Sequence, residues 1–428
     1  MTCLDPRNAF LEAAEAALRC DPCAGTPAVL SIGFNRFHEI GELLGYGAAD
    51  QLLEQASSRL AAGLSSASGS AARLYDNFAA ILTGTADPDS VLGVARGLRD
   101  TLSEPYRIQG EEVRLTASVG IAMFPEHGNS AEHLLRHAEW ALRDAHQSGT
   151  RSAILFDSAR HAAAMERLRL ENALRRAIEN GELELLYQPV VSLFGKVQAF
   201  EALLTWNHPV RGALAAGEFI PIAEQTGIIA DIGCWVVEQA CLAGAGWRKN
   251  GGPEFWMSVN VSARQFERDD FVDAISAALA MSGFPARSLE LELTESCIMR
   301  DVNASARRMA RLRELGVSIA IDDFGTGYSS LSYLHKLPVD TVKIDQSFLR
   351  GIAQMDGSLP VVQSIVRLAH GMRLAVVAEG VETQAELELI RLLGCDMAQG
   401  HLFGRMLHRE EAGRLLAAEA VSAARARG

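Results

Sequence analysis

The sequence lacks long apolar runs and a surplus of basic residues, and each absence excludes a class of protein. No apolar run reaches the roughly 18 residues that a bilayer-spanning helix needs, so no membrane span is expected. The first residues, MTCLDPRNAF, lack the basic and then apolar pattern of a secretory signal, which predicts a cytoplasmic protein. A formal net charge of −13 argues against a nucleic-acid polymer as partner, because its contact face would be basic.

The cysteines do not indicate a disulfide-stabilised protein. There are seven of them, an odd number scattered along the chain. Cys20 and Cys23 form a CxxC motif, but no second pair and no histidine cluster accompany it, so we interpret them as two thiols at a helix end. With 428 residues, 48% of them hydrophobic and 22% charged, the composition predicts a globular protein of two or three domains.

The pattern of apolar runs divides the chain into four segments. Residues 1–27 predict a helix and a loop, and residues 28–157 predict a smaller α+β domain with helices on one face of an antiparallel sheet. Residues 158–180 contain neither Pro nor Gly, which indicates one continuous connecting helix that stops at Gly181. This helix could equally be the first helix of the last segment, residues 181–428.

In the last segment, strand-like runs alternate with helical ones. Eight strands with intervening helices over about 250 residues predict an α/β fold, a (β/α)8-type (TIM-like) barrel. The predicted strands are 183–188, 197–204, 255–261, 289–295, 317–323, 341–345, 374–379 and 396–403.

Acidic side chains recur near the ends of these strands. They are Glu201, Glu292, Asp322, Asp323, Glu379 and Glu382, while Asn260 and Lys343 end two further strands and Gln399 lies in a last one. Because the ends of parallel strands meet at one mouth of a barrel, these groups should converge. Two carboxylates about 4 Å apart repel by about 4 kcal/mol at an effective dielectric near 20, so a cation is expected between them.

Carboxylate and amide oxygens favour Mg²⁺ or Mn²⁺ over zinc, and a hard divalent ion, or a pair of them, is the simplest candidate. The consecutive pair Asp322 and Asp323 suits two ions that assist displacement at phosphorus. Taken alone, each signal has a simpler explanation. A glutamate at a strand end is usually a solvated surface residue, an Asp-Asp pair before glycines is more often a turn, and Lys343 alone would be interpreted as a salt bridge.

Seven motifs together resemble the EAL-domain phosphodiesterases of cyclic di-GMP. The motifs EALLTW, VNVSARQF, LELTES, IDDFGTGYSSL, VKIDQSF, AEGVET and QGHLFGR extend the resemblance over residues 181–410. In the preceding domain, SVGIAMFPEHG and AEHLLRHAEWALRDA resemble the GGDEF domain that often precedes EAL. The resemblance implies hydrolysis of one phosphodiester of cyclic di-GMP to linear pGpG, with two Mg²⁺ or Mn²⁺ ions, in a homodimer formed through the EAL domains.

The resemblance also implies a role for each matching residue. Lys343 would hold the attacking water, Glu379 would act as general base or orient that water, and Glu295 would brace the DDFGTGYSS loop. Metal ligands would be Glu201, Asn260, Glu292, Asp322 and Asp323. Substrate contacts would come from Gln188, Leu203, Thr205 and Gln399.

Departures from the EAL pattern concern three positions. Thr205 stands where the family usually has an arginine that reaches a substrate phosphate. A charged hydrogen bond of that kind contributes about 1.5–3 kcal/mol, so its loss should weaken substrate binding about ten- to hundred-fold. His401 and Met406 replace a more usual Tyr and Pro, and little is expected from either change.

The GGDEF-like domain departs from its family much further. Tyr75-Asp76-Asn77-Phe78 replaces the glycine-containing signature, and a tyrosine there would obstruct a triphosphate. Gly33 stands where a metal-binding Asp is expected and Gly41 where a guanine-reading Asn is expected, whereas Asp50 persists. These changes predict no cyclase activity and favour a dimerisation and signal-relay module over a regulatory nucleotide site. For the barrel, the alternative to an enzyme is a receptor that binds cyclic di-GMP without cutting it.

Overall fold

The computed structural model describes residues 6–19, 26–65, 69–84, 87–147, 152–250, 252–325, 335–350 and 359–425. The chain forms two compact units, Met1–Glu166 and Arg167–Gly428. Cys20 and Cys23, the predicted thiol pair, lie outside the described residues. Among the helices that are described, none combines the length and the apolarity required to cross a bilayer.

The first unit contains a five-stranded sheet. Its strands follow the order β2-β3-β1-β6-β7, and neighbours are antiparallel except for the parallel pair β6 and β7. A separate two-stranded hairpin is formed by β4 and β5. The elements in chain order are α1 (Pro6–Leu18), β1 (Ala28–Phe34), α2 (Phe37–Leu44), α3 (Tyr46–Ser65), β2 (Gly69–Leu74), β3 (Asn77–Leu82), α4 (Pro88–Leu102), β4 (Tyr106–Ile108), β5 (Glu111–Val113), β6 (Ala117–Met123), α5 (Ala131–Gln147) and β7 (Ala153–Leu155).

Helices cover both faces of this sheet, so the expectation of helices on one face is wrong. On one face, α3 and α4 pack against a set that includes Leu30 and Ile32 of β1. On the other face, α1 and α5 pack against Val29 of β1 and Ala122 of β6. Both central strands bury every residue, because their sequences AVLSIGF and ASVGIAM are continuous runs of small and apolar residues that do not alternate with polar ones.

Gly120 allows α5 to lie directly on β6. A Cβ atom at this position would clash with the carbonyl oxygen of Ala138 and the backbone nitrogen of Leu142, both of which belong to α5. The obstacle is helix backbone, which cannot move aside as a flexible side chain can. The packing of helix on sheet in this unit therefore requires the absence of a side chain at position 120.

We expect Gly120→Val to separate α5 from the sheet, because overpacking of a dense core typically costs about 1–3 kcal/mol. Hydrogen exchange of the β6 and α5 amides should become faster. The matched control is Gly93→Ala in α4, where a Cβ meets nothing within 4 Å. That change should leave exchange unaltered or slow it, since alanine is favoured over glycine inside a helix by about 0.5–1 kcal/mol. Unaltered exchange in Gly120→Val would contradict this account of the packing.

A single helix, α6 (Ser158–Ala177), occupies most of the segment predicted to be the connecting helix. The chain turns just after it, where Gly181 takes the left-handed conformation with φ of 65° and donates its N–H to the carbonyl of Ile178. Glycine adopts this conformation without steric cost, which explains why the helix stops here.

The second unit is built around an eight-stranded barrel. Its elements in chain order are β8 (Leu183–Ser192), β9 (Val197–His208), β10 (Gly212–Ala215), α7 (Ala216–Thr226), α8 (Ile229–Lys249), β11 (Trp256–Val261), α9 (Ala263–Phe266), α10 (Phe271–Ser282), a 3-10 turn (Ala286–Ser288), β12 (Leu289–Thr294), α11 (Glu295–Met299), α12 (Val302–Glu314), β13 (Ser318–Phe324), β14 (Thr341–Ile344), α13 (Gln346–Leu349), α14 (Leu359–Gly371), β15 (Ala375–Ala378), α15 (Gln384–Leu393), β16 (Met397–Gln399) and α16 (Arg409–Arg425).

The barrel closes between its first and last strands. Neighbours follow the order β9-β11-β12-β13-β14-β15-β16-β8, and β8 pairs back onto β9. The strands from β9 to β16 that form the barrel are parallel, whereas β8 runs antiparallel to both β9 and β16. All eight predicted strands are present, but strands and helices do not alternate strictly as they do in a (β/α)8 barrel. The first two strands form a hairpin, because only the short loop 193–196 connects them.

Candidate active site

The parallel strands carry the predicted site residues to one mouth of the barrel. The register aligns Gln188 with Glu201 and Asn260 with Glu292 on neighbouring strands. Each predicted position lies on or directly after a barrel strand: Gln188 on β8, Glu201, Leu203 and Thr205 on β9, Asn260 on β11, Glu292 on β12, Asp322 and Asp323 on β13, Lys343 on β14, Glu379 after β15 and Gln399 on β16.

The centre of the site is the ammonium group of Lys343, which is surrounded by four carboxylates. The side chain is only 2% exposed. Its Nζ lies 2.8 Å from Glu292 Oε2 and 2.5 Å from Glu379 Oε1. It also lies 3.2 Å from Glu201 Oε2 and 3.9 Å from Asp322 Oδ1. In the protein without bound metal, Lys343 is therefore the cation that offsets the repulsion between these carboxylates.

Amide side chains complete the hydrogen bonding of Glu201. Asn260 Nδ2 donates to its Oε1 at 2.6 Å, and Gln399 Nε2 donates to its Oε2 at 2.6 Å. Gln399 Nε2 also lies 2.9 Å from Gln188 Oε1, which links the first and last barrel strands. All four residues were predicted at the site, and the fold joins them by hydrogen bonds.

Burial and mutual repulsion set the protonation of the site. Burial and then the charge of Glu201 raise the pKa of Glu292 well above its usual value. Burial raises the pKa of Glu379 to about 7, although Lys343 opposes this shift. For Glu201, burial acts in the same direction, but Lys343 and the two amide donors outweigh it and lower the pKa. Despite its burial, the surrounding carboxylates raise the pKa of Lys343, so this side chain stays charged.

An irregularity interrupts β13 at its two consecutive aspartates. In a regular strand, Asp322 and Asp323 would point to opposite faces. Here the pairing with β14 shifts register between Ile321 and Phe324, and Asp323 adopts a left-handed backbone with φ of 54°. Burial and then the charges of Asp322 and Asp345 raise the pKa of Asp323. Such bulges redirect side chains near functional sites.

A cleft of about 260 Å³ opens above this cluster. Six predicted site residues line it, namely Gln188, Glu201, Leu203, Asp322, Glu379 and Gln399, and Glu382 extends its acidic wall. Gln346, Gly380 and His401 also line the cleft and were not predicted as site residues. A Cβ on Gly380 would clash with Cβ of Gln346, so the glycine in the AEG motif was the available signal for this close approach.

Two predicted residues lie apart from the carboxylate cluster. Glu295 is buried at the start of α11, directly after β12, and residues 326–330 of the DDFGTGYSS loop that it was expected to brace lie outside the described residues. Thr205 is half-buried on β9, two and four residues beyond Leu203 and Glu201. Because alternate residues of a strand share a face, Thr205 extends the line of site residues outward.

The donor set fits a divalent cation. Four carboxylates around one ammonium leave a surplus of three negative charges when all are ionised. Within the described residues, Oε1 of Glu292 is buried and has no hydrogen-bond partner. In the same part of the chain, no three acidic, His or Cys side chains converge as ligands of an ion would, since Lys343 lies where the carboxylates meet. A bound cation would therefore compete with the lysine for these oxygens.

In the first unit, the residues at the functional positions of the GGDEF pattern either contact other side chains or, as at Gly33, carry no side chain. A Cβ on Gly33 would clash with the side-chain oxygen of Asn77. Asn35 bonds to Thr116 at 2.7 Å, and the retained Asp50 forms an exposed ion pair with Arg73 at 2.7 Å. Tyr75 lies at the turn between β2 and β3 with φ of 57°. No carboxylate can extend from position 33 toward a metal.

Together, a closed barrel with one reversed strand and an acidic, lysine-centred mouth define the class of the second unit. The model of the EAL domain family matches residues 171–406, which are more than half of the chain. The model of the GGDEF domain of diguanylate cyclases matches residues 1–152. The chain belongs to the EAL domain family and carries a GGDEF domain before its EAL barrel.

Similar proteins include two from Pseudomonas aeruginosa. The bifunctional diguanylate cyclase/cyclic di-GMP phosphodiesterase MucR is 38% identical over 90% of this chain and 56% of its own length. The cyclic di-GMP phosphodiesterase NbdA is 36% identical over 89% of this chain and 48% of its own. The chain thus spans about half the length of these relatives. A solved structure of the PaMucR phosphodiesterase in complex with c-di-GMP is 42% identical, with a TM-score of 0.56, and covers 57% of this chain and 99% of its own.

We expect Lys343→Met to destabilise the second unit when divalent ions are removed by chelation. Removing one partner from a buried ion pair typically costs about 3–5 kcal/mol, because the remaining charges are uncompensated. Urea unfolding measures the change. Lys196→Met, which removes an exposed lysine, should alter the free energy of unfolding by at most about 0.5 kcal/mol. Equal effects of the two substitutions would show that Lys343 does not compensate the cluster.

Proposed function

We propose that this chain hydrolyses cyclic di-GMP to linear pGpG in a reaction that depends on Mg²⁺ or Mn²⁺. The main support is the cluster of Glu201, Glu292, Asp322 and Glu379 around Lys343 at one barrel mouth. A further support is the 42% identity to a barrel solved with c-di-GMP. The resemblance also favours a homodimer through the EAL barrels.

The metal ligands proposed are Glu201, Asn260, Glu292, Asp322 and Asp323. They offer only oxygen atoms to a cation, as hard divalent ions prefer. When bound, Mg²⁺ or Mn²⁺ supplies a water of lowered pKa and polarises the phosphate. The register shift in β13 and the left-handed backbone of Asp323 support a shared position for two ions, because they would let both aspartates face the same mouth.

The remaining residues would position and activate water and substrate. Lys343 places a fixed positive charge near the phosphorus, where negative charge develops during attack. Glu379 has a pKa of about 7, a value suited to a general base at neutral pH. Gln188, Leu203 and Gln399 line the cleft and would contact the nucleotide. Glu295 would brace the loop that follows Asp323.

The test is release of pGpG from cyclic di-GMP by the purified full-length chain, followed by chromatography, with light scattering as the measure of its oligomeric state. We expect turnover with Mn²⁺ or Mg²⁺ and none after chelation. Glu201→Gln should lower kcat by at least about 100-fold, since a charged metal ligand is lost. Glu388→Gln, an exposed change on α15, should leave the rate unaltered. Full activity in excess chelator would refute metal dependence.

Thr205→Arg should lower KM about ten- to hundred-fold, because the new guanidinium can form a charged hydrogen bond worth about 1.5–3 kcal/mol with a substrate phosphate. Initial rates across a range of cyclic di-GMP concentrations measure KM and kcat separately. Thr205→Lys is the control for charge alone, since lysine cannot bind a phosphate in a bidentate manner. An unchanged KM in Thr205→Arg would mean that position 205 does not face the substrate.

We further propose that the GGDEF unit is not catalytic and serves as a dimerisation and signal-relay module. The purified chain should form no cyclic di-GMP from GTP with Mg²⁺ or Mn²⁺, because Gly33 offers no ligand where the family places an aspartate. The measurement requires Glu201→Gln, so that any product would persist. Accumulation of cyclic di-GMP in that variant would contradict this proposal.

A second candidate function is a receptor that binds cyclic di-GMP without cutting it. Thr205 favours it, because the usual phosphate-binding arginine is absent. Calorimetry with the cyclic dinucleotide, followed by chromatography of the same sample, separates the two functions. Binding without pGpG in the presence of Mn²⁺ would favour the receptor.

A further inference from the structure

The barrel contains a second cavity at the mouth opposite the proposed active site. It has a volume of about 200 Å³ and lies among the N-terminal ends of the parallel strands. Four of its lining residues are small: Ala199, Ser258, Ser318 and Ala375. Barrels of this type are usually filled by bulky branched side chains. Because one water molecule occupies about 30 Å³, the space suffices for a small organic molecule.

The cavity has one apolar and one polar wall. Val190, Ala199 and Val377 form a separate apolar cluster against which Met397 packs. Across from them, β12 and β14 contribute Glu290 and Thr341, and β11 contributes Ser258. A ligand that matches both walls needs an apolar portion and a polar end.

Glu290 is the distinctive group of the polar wall. Its Oε1 accepts a hydrogen bond from the Ser258 hydroxyl at 2.8 Å, and its Oε2 accepts one from the Thr341 hydroxyl at 2.7 Å. Both donors are neutral, and no cation among the described residues forms an ion pair with this carboxylate. By contrast, Asp340 on the same wall pairs with Arg313 at 3.1 Å. The carboxylate of Glu290 thus retains acceptor capacity and an uncompensated charge.

Two further groups suit a cation in this cavity. Trp256 begins β11 and is 42% exposed where it lines the cavity, and an indole face attracts organic cations. Glu292 also lines the cavity, and its buried Oε1 has no hydrogen-bond partner within the described residues. The ammonium of Lys343, another lining residue, is held by four carboxylates of the active site. This positive charge limits how deeply a second cation can enter.

We propose that this cavity binds a small primary alkylammonium ion. The ammonium group lies on Glu290 beside Trp256, and the alkyl chain lies against Val190, Val377 and Met397. Neutral analogues lose the attraction to Glu290, and carboxylates of the same length are repelled by it. The site lies at the opposite mouth from the proposed phosphodiesterase site, borders it at Glu292 and Lys343, and does not depend on its activity.

The experiment is calorimetric titration of the full-length chain with n-butylammonium chloride, 1-butanol and sodium butyrate as probes of equal chain length. We expect n-butylammonium to bind with a Kd of about 1 mM, because a ligand with so few heavy atoms can gain only limited binding energy. Butanol and butyrate should bind at least about ten-fold more weakly, since each lacks the charge that Glu290 attracts. Equal binding of butanol and butylammonium, or no binding of butylammonium at ten times that concentration, would overturn the proposal.

Two variants locate the site. Glu290→Gln keeps the shape of the side chain and should weaken butylammonium at least about ten-fold without a matching change for butanol. Ala375→Leu should fill the cavity and abolish binding of all three probes. Glu388→Gln removes the same charge from the exposed face of α15 and should change nothing. Undiminished butylammonium binding in correctly folded Glu290→Gln would place the ammonium elsewhere.

Discussion

The buried ion cluster of Lys343 is the constraint on which the second unit depends. One ammonium group, almost fully withdrawn from water, lies between four carboxylates that come from different strands. Desolvation of so many charges is unfavourable unless they are mutually compensated. The cluster therefore requires the closed barrel, which brings these strands together. It also restricts the register of the strands, because each of them must place its carboxylate at the depth of the same ammonium group.

The same cluster explains why this mouth is suited to chemistry. The four carboxylates carry more negative charge than the lysine neutralises. Burial therefore leaves Glu292 and Glu379 with raised pKa values. Glu379, with a pKa of about 7, can accept or release a proton near neutral pH with little rearrangement. Asp322 lies at this mouth, and its neighbour Asp323 takes a left-handed backbone where β13 shifts register.

The two ends of the barrel interior differ in what fills them. Toward the C-terminal ends of the strands, long polar side chains meet and form hydrogen bonds and ion pairs with one another. Toward the N-terminal ends, small side chains such as Ala199 and Ser258 leave space, and Glu290 has only hydroxyl partners. Glu292 and Lys343 lie between these regions and touch both. In the GGDEF unit, by contrast, the space beside Gly33 is filled, because Asn77 occupies the volume that a metal-binding side chain would need.

The amino-acid sequence by itself determined the eight barrel strands and the residues at their ends, because apolar runs and polar ends are local features. It did not reveal the reversal of β8, since a hairpin and a crossover can follow the same strand pattern. The second layer of helices in the first unit has a signal in the unbroken runs AVLSIGF and ASVGIAM, because a strand without polar alternation is buried on both faces. Only the tertiary structure decided that a lysine, and not a metal ion alone, compensates the acids. The distance between side chains on separate strands depends on how the barrel closes, and no local pattern encodes that distance.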